Sequence, residues 1–124
     1  MDLTVRIEIF PVDLDATVDF YTRVLRFTLV EDQRATNGYV SLRRGLVRIG
    51  AAARPAMPGV ADHRRPPVGV EVVLEVDDVA AERDRVVAAG WPLDDDLARQ
   101  PWGLTDFRLV DPSGHYLRVT DRRG

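Results

Sequence analysis

Residues 100–121 read QPWGLTDFRLVDPSGHYLRVTD and contain two strand-like runs, Thr105–Val110 and residues 115–120, joined by D-P-S-G at 111–114. Proline presets the φ of a type I turn, and glycine tolerates positive φ. The segment therefore predicts a β-hairpin. Trp102 stands before the hairpin between a proline and a glycine. It is predicted at a strand entry, either at the rim of what the sheet encloses or as a cap on the core.

Working back from this hairpin, the chain repeats one pattern of a strand, a capped helix and three strands. Apolar residues alternate with polar ones at 3–10 and again at 70–76, which indicates half-buried strands. Asp13 and Asp78 are predicted helix N-caps, and Gly90 is predicted to follow the second helix. The helices are predicted at 14–25 and 79–89. The remaining strands are predicted at 27–31, 39–43, 46–50, 91–95, 105–110 and 115–120.

The two halves align residue by residue. Arg6-Ile7-Glu8-Ile9 falls on Glu71-Val72-Val73-Leu74, Asp13 falls on Asp78, and Val47-Arg48-Ile49 falls on Leu117-Arg118-Val119. We therefore predict an α+β domain of two βαβββ modules, 1–50 and 69–121, joined by a proline-rich linker at 51–68. The predicted mixed sheet curls around a cavity with the helices on its outer face.

Strand alternation assigns side chains to the two faces of that sheet. The apolar set is predicted to pack under the helices: Val5, Ile7, Ile9, Val72, Leu74 and Val76. The polar set is predicted to point into the cavity: Arg6, Glu8, Arg48, Glu71, Glu75 and Arg118.

Composition narrows the class of protein. The 124 residues include no cysteine, which removes disulfides and thiolate chemistry. The net charge is -3 and the arginines are scattered, which disfavours a nucleic-acid partner. No apolar run is long enough to cross a bilayer and no leader pattern opens the chain, so we expect a cytoplasmic protein without a membrane partner.

For two charged runs, solvated surface is the favoured interpretation. His63, Arg64 and Arg65 are predicted to form a solvated face of the linker, with recognition as the less favoured alternative. The acidic run at 94–96 is predicted to be a solvated turn rather than a cation site, because it lacks a glycine-containing ligand loop.

Three motifs resemble the vicinal oxygen chelate superfamily, which includes glyoxalase I, extradiol dioxygenases, and fosfomycin and bleomycin resistance proteins. They are DFYTRVL at 19–25, VDDVAAERDRVVAAG at 76–90 and DPSGHYLRV at 111–119. The resemblance covers residues 3–120, and QPWGLTDFRLVDPSG is most similar to the bleomycin resistance branch.

The resemblance implies four metal-ligand positions. They fall at Arg6, at Glu71, at Arg118 and at or near Arg48. Arginine stays protonated and has no lone pair to give, so three of the four positions cannot ligate a metal. We therefore expect neither a metal nor another cofactor.

The arginines have two interpretations. In the first, Glu71 accepts hydrogen bonds from Arg6, Arg48 and Arg118 in a buried ion-pair cluster. In the second, the excess positive charge forms a pocket for a carboxylate or phosphate. The two interpretations are compatible with each other.

The resemblance implies a non-enzymatic, homodimeric binder that sequesters a small molecule such as an antibiotic and has no catalytic residue. Trp102, Tyr39 and Phe10 would supply flat apolar surface for the ligand. Bleomycin itself matches poorly, because it is cationic and the predicted cavity is lined by arginine. The alternative is an enzyme of the same superfamily (a lyase, isomerase or dioxygenase) that uses Glu71 or Glu8 as a base or with a metal. An interaction domain is a third class, with no sequence feature for or against it.

Overall fold

The computed structural model describes residues 2–53 and 69–122. The chain divides into two compact units, Met1–His63 and Arg64–Gly124. Most of the predicted linker, including His63, Arg64 and Arg65, lies outside the described residues. Within the described ranges, no helix is long and apolar enough to span a membrane.

Unit 1 is one mixed four-stranded sheet with one helical segment. Strand order is β1-β4-β3-β2, with β1 parallel to β4 and the other pairs antiparallel. The elements are β1 (Ile7–Ile9), α1 (Leu14–Asp19), a π-helical turn (Phe20–Val24), β2 (Thr28–Gln33), β3 (Tyr39–Arg44) and β4 (Val47–Ala52).

Unit 2 repeats this connectivity. Strand order is β5-β8-β7-β6, again with the first strand of the unit parallel to the last. The elements are β5 (Val72–Glu75), α2 (Val79–Ala88), β6 (Asp95–Arg99), β7 (Thr105–Val110) and β8 (Tyr116–Thr120). The predicted α+β architecture of two βαβββ modules is confirmed.

Both helices begin after an aspartate that caps the helix N-terminus, as predicted. The carboxylates of Asp13 and Asp78 accept hydrogen bonds from the backbone N–H of Ala16 and Ala81, each at 3.0 Å, which satisfies donors that a helix start leaves open. Gly90 follows α2 with φ of 82°, as predicted.

The first helical segment departs from prediction, because its second half widens into the π-helical turn. Arg26 then adopts a left-handed φ of 64°, and the N–H of Phe27 donates to the carbonyl of Tyr21 at 2.8 Å. This reversal brings the Tyr21 and Phe27 rings edge to face, with centroids 5.7 Å apart. The aromatic cluster anchors the segment in the core.

Each sheet buries one face, and alternation along the strands decides which face that is. The buried apolar residues of the last two strands of each unit are Val40, Leu42, Ile49 and Ala51 in unit 1, and Phe107, Leu109, Leu117 and Val119 in unit 2. Helical residues such as Val18 and Val86 are buried in the same units. The polar residues between these strand positions lie on the opposite face.

Both first strands are shorter than predicted. The predicted packing of Val5 under the helix is wrong, since Val5 is 77% exposed. Val70, where the first strand of the second module was predicted to begin, is also exposed. The ladder pairs β1 with β4 only from Ile7, and residues before it lie outside the paired segment. Ile9 and Val76 are buried as predicted.

Two further boundaries are corrected. The strand predicted at 91–95 instead runs from Asp95 to Arg99, because the Trp91 indole N–H donates to the carbonyl of Val110 at 2.9 Å and fixes the segment before it. The linker cannot begin at 51, because β4 continues to Ala52.

The D-P-S-G segment forms the predicted turn, organised by a buried carboxylate. Oδ1 of Asp111 accepts from the N–H groups of Ser113 and His115, each at 2.9 Å. Its Oδ2 lies 2.7 Å from Nδ1 of His115. Gly114 takes a φ of 90°, which favours glycine.

Candidate functional site

The polar face of unit 2 is built by strand register. Arg108 on β7 lies directly opposite Arg118 on β8, and Arg118 in turn lies beside Val73 on β5. Because Phe107 and Leu117 point into the core, both arginines point to the opposite face.

Glu71 is the carboxylate that joins these two arginines. Its Oε1 lies 2.8 Å from Nε of Arg118, and its Oε2 lies 3.6 Å from Nε of Arg108. Arg108 also lies 3.6 Å from Asp95, and Arg118 lies 3.6 Å from Asp106. The cluster therefore holds three carboxylates against two guanidinium groups, so both arginines are neutralised within the unit and one negative charge remains in excess.

Asp106 is buried beneath this cluster. Its Oδ1 accepts from the side-chain amide of Gln100 at 2.9 Å, while its Oδ2 accepts no hydrogen bond from the part of the chain that the structure describes and lies 3.6 Å from Arg118. Nearby, burial and Asp94 raise the pKa of the Tyr116 phenol above its usual value, although Arg108 opposes the shift. The phenol therefore stays protonated at neutral pH.

Trp102 lies on top of the arginine cluster. The Arg118 guanidinium carbon is 5.8 Å from the ring centroid, within cation–π range. Trp102 is 46% exposed, which rules out its interpretation as a cap on the core. Arg118 thus contacts both Glu71 and Trp102, while part of Trp102 remains accessible.

Unit 1 carries a second polar group of residues around Glu8. Nε of Arg6 donates to Oε1 of Glu8 at 2.6 Å, and the Tyr39 hydroxyl donates to the same oxygen at 3.4 Å. Burial and the charge of Glu8 raise the pKa of the Tyr39 phenol, so it stays a donor at neutral pH.

Arg48 has a different partner. Its guanidinium donates to Oγ1 of Thr4 at 2.9 Å. The predicted contacts of Glu71 with Arg6 and Arg48 would join the two units and stay a prediction. Within unit 2, Glu71 pairs with Arg118, and Arg108 is the additional arginine that the sequence interpretation missed.

Strand register also corrects the predicted equivalence of Arg48 and Arg118. Ile7 pairs with Ile49, as Val72 pairs with Leu117. The residue beside Glu8 is Gly50, and the residue beside the equivalent Val73 is Arg118. Gly50 is therefore the true counterpart of Arg118.

This correction bears on the metal that the resemblance implies. The four positions become Arg6, Gly50, Glu71 and Arg118, of which only Glu71 can donate a side-chain lone pair to a cation. Across residues 2–53 and 69–122, no three His, Asp or Glu side chains are grouped so that they could hold an ion. The residues present do not fit a divalent metal.

The alternation of side chains along β7 could have revealed some of the site residues that the sequence interpretation missed. Asp106 and Arg108 are spaced by two in β7 and share a face with Arg118 once the hairpin register is known. Asp95 was assigned to an acidic turn, but it begins β6 and approaches Arg108, while Asp96 pairs with Arg83 at 2.8 Å. Phe10, predicted to offer apolar ligand surface, is half-buried just after β1.

Two βαβββ modules with polar sheet faces define a protein of the class that the motifs suggested. A family model described as the Glyoxalase/Bleomycin resistance protein/Dioxygenase superfamily matches residues 4–119, and the chain belongs to this superfamily.

Several solved structures have a fold similar to that of this chain. TioX from Micromonospora sp. ML1 is 25% identical, with a TM-score of 0.79 and coverage of 98% of this chain and 99% of that one. Lactoylglutathione lyase from Agrobacterium tumefaciens is 22% identical, with a TM-score of 0.72 and coverage of 98% and 94%. A glyoxalase-related enzyme from Fulvimarina pelagi is 21% identical, with a TM-score of 0.75 and coverage of 98% and 89%. A search of curated proteins gives no match.

Proposed function

We propose that this protein binds an aromatic small molecule without a metal and without catalysis, in the manner of a resistance protein that sequesters an antibiotic. The observation that carries the proposal is the exposed Trp102 ring held over Arg118, which is itself fixed by Glu71. A fixed aromatic surface can stack a planar ligand at little cost in conformational entropy.

The charged residues around Trp102 indicate what kind of ligand would bind. Arg118 and Arg108 are already matched by Glu71, Asp106 and Asp95, which favours the ion-pair interpretation over a pure anion pocket. A ligand with polar groups of either sign can exchange contacts with this network. We therefore expect ring stacking to supply more of the affinity than net charge.

Tryptophan fluorescence tests the proposal. Titrations with 2-naphthoate, an anionic aromatic, and with bleomycin, a cationic glycopeptide, report whether either quenches the signal. Trp102→Ala should abolish the quenching and leave the fold intact, whereas Trp91→Phe, which changes the other tryptophan, should preserve it. Arg118→Ala should weaken binding about tenfold, the effect of one charge-assisted hydrogen bond.

Each result separates the alternatives. If only bleomycin binds, the arginines are structural and the ligand is cationic. Quenching that survives in Trp102→Ala would remove the stacking surface from the proposal. Turnover of a dicarbonyl or diol substrate, without any quenching, would replace the binder with an enzyme.

The enzyme remains a second candidate because of one contact, the hydrogen bond from the Tyr39 phenol to Glu8. A carboxylate beside a phenol is a pair that can accept and donate protons. An enzyme that uses this pair should lose turnover in Glu8→Gln and in Tyr39→Phe. The binder should show no turnover in the unaltered protein.

We also propose that the protein is a homodimer, as the superfamily resemblance implies. Each unit is a four-stranded sheet of about sixty residues, and a domain that small buries little core by itself. Large apolar side chains remain exposed at Leu3, Val5, Leu46 and Val70, which is surface that a second copy could cover.

A further inference from the structure

Gly50 creates a space that the side chains of Glu8 and Tyr39 occupy. A Cβ on Gly50 would lie closer than 3.0 Å to both carboxylate oxygens of Glu8 and to the Tyr39 hydroxyl. Real Cβ atoms almost never make such contacts, so the carboxylate lies against bare backbone. Gly50 is buried and lies beside Glu8 in the β1–β4 ladder, which fixes this approach by register.

The carboxylate of Glu8 is held at only one oxygen. Arg6 and Tyr39 both donate to Oε1, while Oε2 accepts no hydrogen bond from any side chain or backbone group in the described parts of the chain. The Glu8 side chain is 33% exposed, so a ligand can approach part of this side chain. Oε2 is an open acceptor with a fixed position.

Arg6 supplies donors next to this acceptor. Its Nε is used by Glu8, and within residues 2–53 and 69–122 its terminal amino groups make no other hydrogen bond or ion pair. Its side chain is about half exposed. Because Nε of Arg6 lies 2.6 Å from Oε1 of Glu8, the guanidinium and the carboxylate are adjacent and together offer donors and an acceptor to one ligand group.

We propose that Arg6 and Glu8, positioned by Gly50 and Tyr39, form a subsite within unit 1 that recognises a carboxamide-type group of a small-molecule ligand. The N–H of such a group donates to Oε2 of Glu8, and its carbonyl oxygen accepts from Arg6. A carboxylate ligand would lack the N–H and would meet Glu8 with like charge. This inference rests on the proposal that the protein binds a small molecule, and it names the group that is recognised.

The test compares benzamide with acetophenone, which has the same shape but carries a methyl group in place of the amide NH₂. Binding is followed by NMR of the Arg6 Nε–H signal in protein labelled with ¹⁵N-arginine. Benzamide should bind about tenfold more tightly than acetophenone, the worth of one hydrogen bond to a charged group. Benzoate should bind more weakly than benzamide.

Two variants and one control isolate the subsite. Glu8→Ala removes the acceptor, and Gly50→Ala displaces the carboxylate, because the atoms nearest to the new Cβ are the ends of the Glu8 and Tyr39 side chains. Both should erase the preference for benzamide. Asp19→Asn removes one carboxylate charge from the exposed face of α1 and should keep the preference. Thermal unfolding of each variant reports whether it is folded.

Equal affinity for benzamide and acetophenone, or a preference that survives in Glu8→Ala, would overturn the inference. If benzamide leaves the Arg6 signal unmoved while 2-naphthoate still quenches Trp102, the subsite fails and the binding function stands. If benzamide binds with the expected preference and no aromatic compound quenches Trp102, the stacking surface fails instead. If millimolar concentrations of these compounds neither shift the Arg6 signal nor quench Trp102, both the subsite and the binding function are rejected.

Discussion

Nε of Arg118 lies 2.8 Å from Oε1 of Glu71, and this ion pair ties the residue before β5 to the middle of β8. The two strands are parallel, and the ladder places Val73 beside Arg118. The pair therefore links the first and last strands of unit 2 on the face that carries Trp102.

Removing the carboxylate of this pair should lower the free energy of unfolding. Glu71 is 30% exposed and Arg118 is 22% exposed, so water replaces part of the lost contact. We expect Glu71→Ala to cost about 1–2 kcal/mol in urea denaturation, below the cost of breaking a fully buried pair. Glu75→Ala, on the same strand face and more exposed, should change stability by less than about 0.5 kcal/mol.

The buried carboxylate of Asp111 should matter more for stability. Asp111→Ala removes the acceptor of two backbone N–H groups and the partner of His115, which should cost about 3 kcal/mol. Asp111→Asn keeps an oxygen for the backbone groups, so it should cost less. Equal losses for the two variants in urea denaturation would show that the turn does not depend on the backbone acceptor.

Acid pH should weaken the contact between α2 and β6. Hydrogen bonds from Arg83 lower the pKa of Asp96 from 3.8 to about 2. A lowered carboxyl pKa adds stability above the unfolded-state pKa, and this is lost as the pH falls through the folded-state value near 2. A ¹³C NMR titration of the Asp96 carboxyl should give that low midpoint. In Arg83→Ala the midpoint should rise, and an unmoved midpoint would contradict the assigned cause.

The donor set predicts that the purified protein carries no stoichiometric divalent ion. Arg6 and Arg118 repel a cation, and Gly50 offers it no side chain. Elemental analysis should therefore find zinc, iron, nickel and manganese each far below one atom per chain. One atom of any of these metals per chain would reverse our interpretation of the arginines.

Light scattering at micromolar concentration should give a mass about twice the 13.9 kDa of one chain. Replacing the exposed apolar residue Leu46 or Val70 with aspartate tests which surface the second copy covers. A monomeric mass for the unaltered protein would contradict the proposed homodimer.

The sequence predicted the architecture because its signals are local. Alternating strands, the Asp13 and Asp78 caps and the D-P-S-G turn each depend on residues close together in the chain, and each is present in the structure. Their repetition in the same order was enough to indicate two βαβββ modules.

The site was predicted less well because it depends on pairing between distant strands. Aligning Arg48 with Arg118 assumed that the two halves differ only in loops outside this strand, whereas the ladders make Gly50 the counterpart. Arg108 joins Glu71 through hairpin register, which strand periodicity alone does not give. Trp102 was predicted at a strand entry from its flanking residues, with a rim position and a core cap both left open, and its contact with Arg118 required the fold.

The short first strands give both polar faces a shared dynamic property. Within its own sheet, β1 or β5 is held by a single ladder to the last strand, while the other three strands form a continuous antiparallel meander. In unit 1 this ladder joins three residue pairs, against five and six in the other two ladders, so local opening of that unit should begin there. This opening carries Glu8 away from Gly50, and the equivalent opening at β5 would carry Glu71 away from Arg118. A ligand that bridges such a pair would slow hydrogen exchange at the first strand, so binding and the protection of the sheet edge are thermodynamically linked.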